Sequence, residues 1–230
     1  MRKILSILSV AIFMVVANIS ANATDFFDKG KPKQLIGIGV RAGINRSGLN
    51  WSETGLSQPI FNKDCTGFDL GAVVNLNIRN YFTIQPGFIF QNKAHDAYFN
   101  ESDLGISKLH ARYYSVQIPI MFQFNFNLAK AVRWSVAAGP VISFGLGGNN
   151  TFTTENGTFK DNYYGKNEII FAMKRSKVRM DFGTSFTFAK HYVVGFTYHV
   201  GCGNELYYVG DIPKIKARPH GFSVVVGYDF

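Results

Sequence analysis

The sequence predicts an all-β protein, a single antiparallel up-and-down transmembrane β-barrel of about eight strands. Three observations lead to this prediction: an N-terminal segment typical of exported proteins, eight segments of alternating apolar and polar residues, and connections that are alternately short and long. Alternation with period two lines one face of a strand and no face of a helix. Outer-membrane barrels join such strands by short turns at one end and long loops at the other.

The N-terminal segment has the parts of a secretory signal peptide. A basic start is followed by an almost unbroken apolar run over residues 4–19 and by the small residues Ala21 and Ala23 of a cleavage site. The run is short for a membrane-spanning helix, and no basic stop signal follows it. We therefore predict a signal peptide at residues 1–23 and one outer-membrane barrel domain at residues 24–230.

The alternation is clearest at residues 114–126, where one face would carry Tyr, Val, Ile and Phe and the other mainly Ser, Gln and Asn. A run of this length exceeds the roughly six residues of an ordinary soluble strand. The predicted strands are residues 36–44, 68–78, 82–90, 114–126, 132–146, 178–188, 192–200 and 222–230.

The connections between these strands differ in length and composition. Tight turns are predicted at residues 79–80, 127–131 and 189–190, whereas the other connections are long, polar and rich in Asn, Gly and Thr. The long ones are residues 48–66, 98–110, 148–176 and 202–217. If both ends of the mature chain lie in the periplasm, every long loop is extracellular.

The composition of the polar face distinguishes a membrane barrel from a soluble lipocalin-type barrel. This face is rich in small residues and amides, such as Gly37, Gly39 and Ser135, and poor in Lys and Glu. A solvent-exposed face would carry charges throughout, whereas a narrow lumen has room mainly for small side chains. We therefore predict that the polar face points inward and the apolar face meets lipid. Aromatic residues beside the predicted turns, such as Tyr81, Trp134 and Tyr228, suit the membrane interface.

Several segments resemble the PorT-like outer-membrane β-barrel family of Bacteroidota. They are residues 39–45 (GVRAGIN), 82–91 (FTIQPGFIFQ), 114–124 (YSVQIPIMFQF) and 137–144 (AAGPVISF). The last strand, residues 221–230, ends on Phe230 and resembles the signal by which the barrel-assembly machinery recognises its clients. The resemblance implies a barrel fold and an outer-membrane location. The family's founding member is linked to type IX secretion, a role that the resemblance alone does not carry to this chain.

Charged side chains on the polar face are expected in or near the lumen. These side chains would form a conduction path, a catalytic cluster or a structural network of ion pairs. The network is favoured because a buried arginine needs acceptors that compensate its charge. Expected pairs are Asp181 with Arg179 or Arg133, and Asp69 with Arg41. The lumen residues are Arg41, Asp69, Arg79, Arg133, Arg179, Asp181 and His199.

Two further groups are expected at the extracellular rim. A basic cluster there could pair with lipopolysaccharide phosphates, or it could simply be a solvated loop face. Its members are Lys174, Arg175, Lys177, Lys214, Lys216 and Arg218. Cys65 and Cys202 also map to this rim, where they would form a disulfide, remain as two free thiols, or link two molecules.

The sequence favours a protein without catalytic, cofactor or metal sites. The five histidines belong to no recognisable catalytic motif, and no zinc or calcium spacing is present. Although the net charge is +9, no basic and aromatic platform for nucleic acid is apparent. The preferred function is a non-enzymatic outer-membrane barrel without an open pore, whose long loops contact the cell surface or an envelope protein partner. The alternatives are a component of a secretion or envelope-assembly machine and a lipid-modifying enzyme.

Overall fold

The regular structure in the computed structural model is β-strand. The structure describes residues 26–52, 60–99, 105–164, 173–206 and 216–230, with only the backbone of Trp51 and Ser52. The predicted signal peptide lies outside these residues. In the described ranges no helix is long and apolar enough to cross a membrane. The strands are β1 Ile36–Ser52, β2 Phe61–Arg79, β3 Phe82–Tyr98, β4 Lys108–Ala129, β5 Val132–Thr154, β6 Gly157–Asn162, β7 Ser176–Phe188, β8 Tyr192–Gly201 and β9 Lys216–Asp229.

Eight of these strands form a closed antiparallel ring. Around the ring, β1 to β5 are followed by β7, β8 and β9, and β9 pairs back with β1 from Gly39↔Asp229 to Ser52↔Lys216. Closure pairs the backbone of every strand on both sides, so no unpaired edge meets the lipid. The prediction of an eight-stranded up-and-down barrel is confirmed.

Burial along β4 shows which face is inside. Gln117 and Gln123 are buried, while Ile118 and Phe122 between them are exposed to the exterior. The same arrangement of polar residues inside and large apolar residues outside recurs around the ring. The predicted inside-out pattern is therefore confirmed.

We call the end of the barrel with the short connections the turn end. Its turns lie at residues 80–81, 130–131 and 189–191, and Ala189 and Lys190 have positive φ angles of 48° and 67°. Two successive positive φ angles give the primed hairpin turn whose twist matches that of its strands. Aromatic rings gather at this level, as predicted, and Phe26 and Phe27 from the predicted polar lead join them by stacking on Phe126 and Tyr81.

The opposite end, which we call the loop end, departs from the prediction. Strands β1, β2 and β5 extend well into segments expected to be loops, whereas β3, β4 and β9 reach only the edges of theirs. Strand β6 forms an additional hairpin with the end of β5. Beyond the membrane a strand needs no lipid-facing apolar stripe, so the alternation fades while the backbone ladder continues. Parts of the predicted long loops are therefore strands that project past the apolar band.

Candidate functional site

Two layers of side chains fill the barrel, one within the apolar band and one at the loop end. The inner layer, called the lumen network, consists of Asn45, Asp69, Gln91, Gln117, Arg179, Asp181, His199 and Ser223, all buried. The outer layer, called the cap, is a cluster of buried, mostly apolar residues at the loop end: Leu49, Ile60, Ala97, Ile106, Leu109, Ala111, Tyr113, Phe152, Tyr163, Tyr164, Met173, Leu206 and Ala217.

Arg179 is the centre of one half of the lumen network. Its Nε donates to Asp181 Oδ1 at 2.7 Å and its Nη2 to Asp181 Oδ2 at 3.0 Å. Nη2 also donates to Gln117 Oε1 at 2.6 Å, and Nη1 donates to Gln91 Oε1 at 3.3 Å. A bidentate ion pair whose remaining donors reach amide oxygens is the arrangement that a buried guanidinium requires. Of the expected pairs, the one between Asp181 and Arg179 is present.

Asp69 is held by neutral donors rather than by an arginine. Its Oδ1 accepts from Asn45 Nδ2 at 2.7 Å and from Gln91 Nε2 at 2.6 Å, and its Oδ2 accepts from the Ser223 hydroxyl at 2.7 Å. The expected pair with Arg41 does not form. These three hydrogen bonds satisfy the carboxylate without a cation.

Arg41 lies at the turn end instead, where its Nη2 is 2.7 Å from Asp229 Oδ1. Arg133 lines the same part of the lumen and does not pair with Asp181, and its Nε has no hydrogen-bond partner in the described part of the chain. Arg79, expected near the lumen, is exposed at the end of β2. A cavity of about 160 Å³ runs from these turn-end residues up to the lumen network.

A serine, a histidine and an aspartate meet in the lumen network, an arrangement that the sequence analysis missed because it depends on three separate strands. His199 Nε2 lies 2.8 Å from Ser223 Oγ, and His199 Nδ1 lies 2.9 Å from Asp181 Oδ1. The Ser223 hydroxyl donates its proton to Asp69, however, and only 2% of the residue is exposed. A nucleophilic serine must give its proton to the histidine and reach a substrate, and neither condition is met here.

The cap is built around three tyrosines. The rings of Tyr113 and Tyr163 stack at 4.2 Å, and Tyr164 meets Tyr163 edge to face at 4.8 Å. Lys177 Nζ lies 5.1 Å from the centre of the Tyr113 ring and forms an ion pair with Glu205. Stacked rings and a cation over an aromatic face stabilise a packed cluster. Lys177 therefore points inward and does not belong to the predicted basic rim.

The other members of the predicted rim have different environments. Lys174 Nζ donates to the Asn204 carbonyl at 3.0 Å, and the Arg175 guanidinium lies 5.8 Å from the centre of the Tyr164 ring. Lys216 and Arg218 are exposed, and Lys214 lies outside the described residues. Among the five described residues, Lys174 and Lys177 thus make contacts within the loop end, whereas Arg175, Lys216 and Arg218 are exposed.

The two cysteines are free thiols in the structure. Cys65 lies on β2 and is half-buried, whereas Cys202 follows β8 and is exposed. The ring places β1 and β9 between these two strands. Because each thiol stays beside its own strand, with Cys65 Sγ near the Lys63 carbonyl and Cys202 Sγ near the Val200 carbonyl, the expected disulfide is not formed.

Asp96 lies at the centre of a group of charged side chains at the loop end. It lies 2.5 Å from His110 Nδ1 and 3.3 Å from Lys108 Nζ. Burial alone would raise the pKa of the Asp96 carboxyl, but hydrogen bonds from His110 and Lys108 outweigh it and lower the pKa. His95, buried nearby, has its pKa lowered to about 3 by burial and by the charge of Lys177. No group of three or more metal-ligating residues that could hold an ion occurs in the described ranges.

The sequence of residues 24–206 matches the protein family described as outer membrane protein beta-barrel domain, a match that spans most of the chain. The chain belongs to this family. Its location is therefore the outer membrane, as predicted. No curated protein matches the chain in sequence.

The solved structures that this chain resembles include bacterial outer-membrane proteins. Ail, the attachment invasion locus protein of Yersinia pestis, is 17% identical, with a TM-score of 0.40, over 84% of this chain and 99% of that chain. OprG from Pseudomonas aeruginosa is 12% identical, with a TM-score of 0.49, over 90% of this chain and 99% of that chain. Neisserial surface protein A is 12% identical, with a TM-score of 0.41, over 84% and 97% of the two chains.

Proposed function

We propose that this protein is a closed, non-enzymatic outer-membrane barrel that acts through its loop-end surface, by contact with lipopolysaccharide and with a surface or envelope partner. The observation that carries the proposal is the filling of the barrel by the lumen network and the cap. With the inside closed, the exterior of the projecting strands is the part of the molecule available for contact. The loop end faces the cell exterior in this proposal, since long connections of such barrels lie outside the cell.

The two layers oppose conduction in different ways. The lumen network spans the barrel with hydrogen-bonded side chains, so an ion would have to break charge-assisted bonds such as those between Arg179 and Asp181. The cap then adds a layer in which Leu109, Phe152 and Tyr163 are fully buried and leave little polar lining. Eight strands in any case enclose a space that side chains can fill.

We expect liposomes that contain the purified barrel to remain tight. In a swelling assay with small sugars, these liposomes should swell at the same rate as protein-free liposomes, because the lumen network and the cap block the lumen. A porin reconstituted in parallel provides the positive control. Swelling above the protein-free rate at equal protein loading would contradict a closed barrel.

Catalysis is disfavoured by the same geometry. The buried serine, histidine and aspartate of the lumen network are committed to structural hydrogen bonds, and Ser223 is separated from the lipid by the barrel wall. A lipid-modifying enzyme would need such groups on the lipid-facing surface or open to the loop end.

Three exposed arginines provide a specific basis for lipopolysaccharide contact. Arg46, Arg112 and Arg218 lie on the exterior, beyond outward-facing apolar residues of the same strands such as Ile44, Tyr114 and Phe222. The guanidinium groups of the three form no ion pair within the described part of the chain. Unpaired guanidinium groups at the level of the headgroups suit phosphates, which they bind bidentately. The proposed contact therefore rests on these three arginines, of which only Arg218 belongs to the basic rim predicted from the sequence.

A charge-matched pair of variants tests this contact. Neutralising the three arginines (Arg46→Gln, Arg112→Gln, Arg218→Gln) should weaken lipopolysaccharide binding by the purified barrel about tenfold, because three exposed ion pairs of ~0.5 kcal/mol each sum to ~1.5 kcal/mol. The control removes three exposed cations at the turn end (Arg79→Gln, Lys130→Gln, Lys190→Gln). An equal loss in both variants, or no loss in the first, would contradict the proposed contact.

Membership among the PorT-like barrels stays a prediction from sequence motifs, as does recognition of the final strand by the barrel-assembly machinery. A role in a secretion or assembly machine stays the alternative function.

A further inference from the structure

A small chamber lies between the lumen network and the cap. Its volume is about 20 Å³, and its lining includes Lys93, Ser115, Ser143, Lys177, Arg179 and Glu205. The chamber belongs to neither layer described above, and its lining is dominated by hydrogen-bond donors and cations.

Most charges around the chamber are already paired. Glu205 binds Lys177, and Arg179 binds Asp181. Lys93 is different, because only 5% of it is exposed and its ammonium group forms no ion pair with a carboxylate of the described residues. A buried ammonium group without a partner is unfavourable, so Lys93 keeps its charge only if an acceptor in the chamber compensates it.

A second donor faces the same space without an acceptor. The Ser115 hydroxyl is buried and has no hydrogen-bond partner within the described ranges. The buried Ser143 hydroxyl also lines the chamber. An ammonium group has three donors and no acceptor, and the unpartnered Ser115 hydroxyl has a proton to donate, so a species that accepts from both groups fits the space between them.

The size of the chamber limits what that species can be. A volume of about 20 Å³ suits one small species, such as a water molecule or a monatomic ion. A water molecule would offer acceptors but no charge, whereas a monatomic anion offers both.

We propose that the chamber binds a single halide ion, chloride in the cell, between the Lys93 ammonium and the Ser115 hydroxyl. Bound there, the ion compensates the buried lysine and joins β3 and β4 beneath the cap. The site is independent of the proposed surface contacts, because it is enclosed within the barrel.

Bromide serves as the probe for this site. In crystals of the full barrel grown in bromide, an anomalous peak is expected beside Lys93 Nζ and Ser115 Oγ. In detergent solution, the unfolding midpoint of the wild-type barrel should rise in sodium bromide relative to sodium gluconate at equal ionic strength, because gluconate is too large to enter. Lys93→Met, which keeps the length of the side chain and removes its charge, should abolish this bromide-specific rise.

The controls separate the site from general salt effects. Ser115→Ala should reduce the bromide-specific rise of the unfolding midpoint without abolishing it. If Lys93→Met fails to fold, Ser115→Ala and the bromide crystals together test the site. Equal bromide responses in the wild type and Lys93→Met would overturn the proposal. So would a chamber that holds only water in bromide crystals, or a bromide peak without any change in unfolding midpoint, which would mark binding at crystal concentration only.

Discussion

Replacing Ile118 by arginine is expected to lower the free energy of unfolding of the barrel by about 2–4 kcal/mol, the cost of a lipid-facing arginine near the bilayer midplane. Ile118 lies on the exterior of β4 within the apolar band. The guanidinium would have to leave water and could reach no carboxylate through the barrel wall. Urea unfolding in lipid vesicles, followed by tryptophan fluorescence, measures the loss.

The control for this variant places the same side chain outside the membrane. Thr158 is exposed on β6, beyond the barrel, so Thr158→Arg should change stability by no more than about 0.5 kcal/mol. The adjacent Gln117 is unsuitable as an inward control, because its amide already accepts from Arg179. If Ile118→Arg and Thr158→Arg had the same effect, the assignment of the lipid-facing side would be wrong.

Replacing Arg179 by methionine is expected to destabilise the barrel by about 3–5 kcal/mol, since it leaves a buried carboxylate without its cation. Asp181 would lose both of its bonds to Arg179, and Gln91 and Gln117 would lose a donor. The same unfolding measurement in vesicles applies.

A double variant distinguishes loss of the ion pair from general damage to packing. Arg179→Met combined with Asp181→Leu removes both charges, and should recover part of the stability lost in the single variant, since an apolar pair can replace a buried ion pair. Arg218→Met removes an exposed arginine and should be nearly neutral. Additive losses in the double variant would contradict the central role of this pair.

The sequence alone determined the parts of the fold that follow from periodicity. A strand between lipid and a narrow lumen must alternate apolar and polar residues strictly. The alternation at residues 114–126 therefore predicts both the strand and its lipid-facing side. The turns at residues 79–80 and 189–190 could be placed as well, because the alternation stops there. Arg179 and Asp181 could be placed on one face because they are two residues apart, although the choice between Arg179 and Arg133 as the partner of Asp181 stayed open.

Tertiary structure decided what the alternation does not encode. The partner of Arg41 is Asp229 because strand register at the β1–β9 closure brings them together, and register cannot be read from a repeating pattern. The loop-end strands were hidden for a related reason, since outside the bilayer both faces of a strand can be polar. The cap depends on Tyr163, which follows β6, folding back over Tyr113 of β4, a contact between distant segments that only packing can specify.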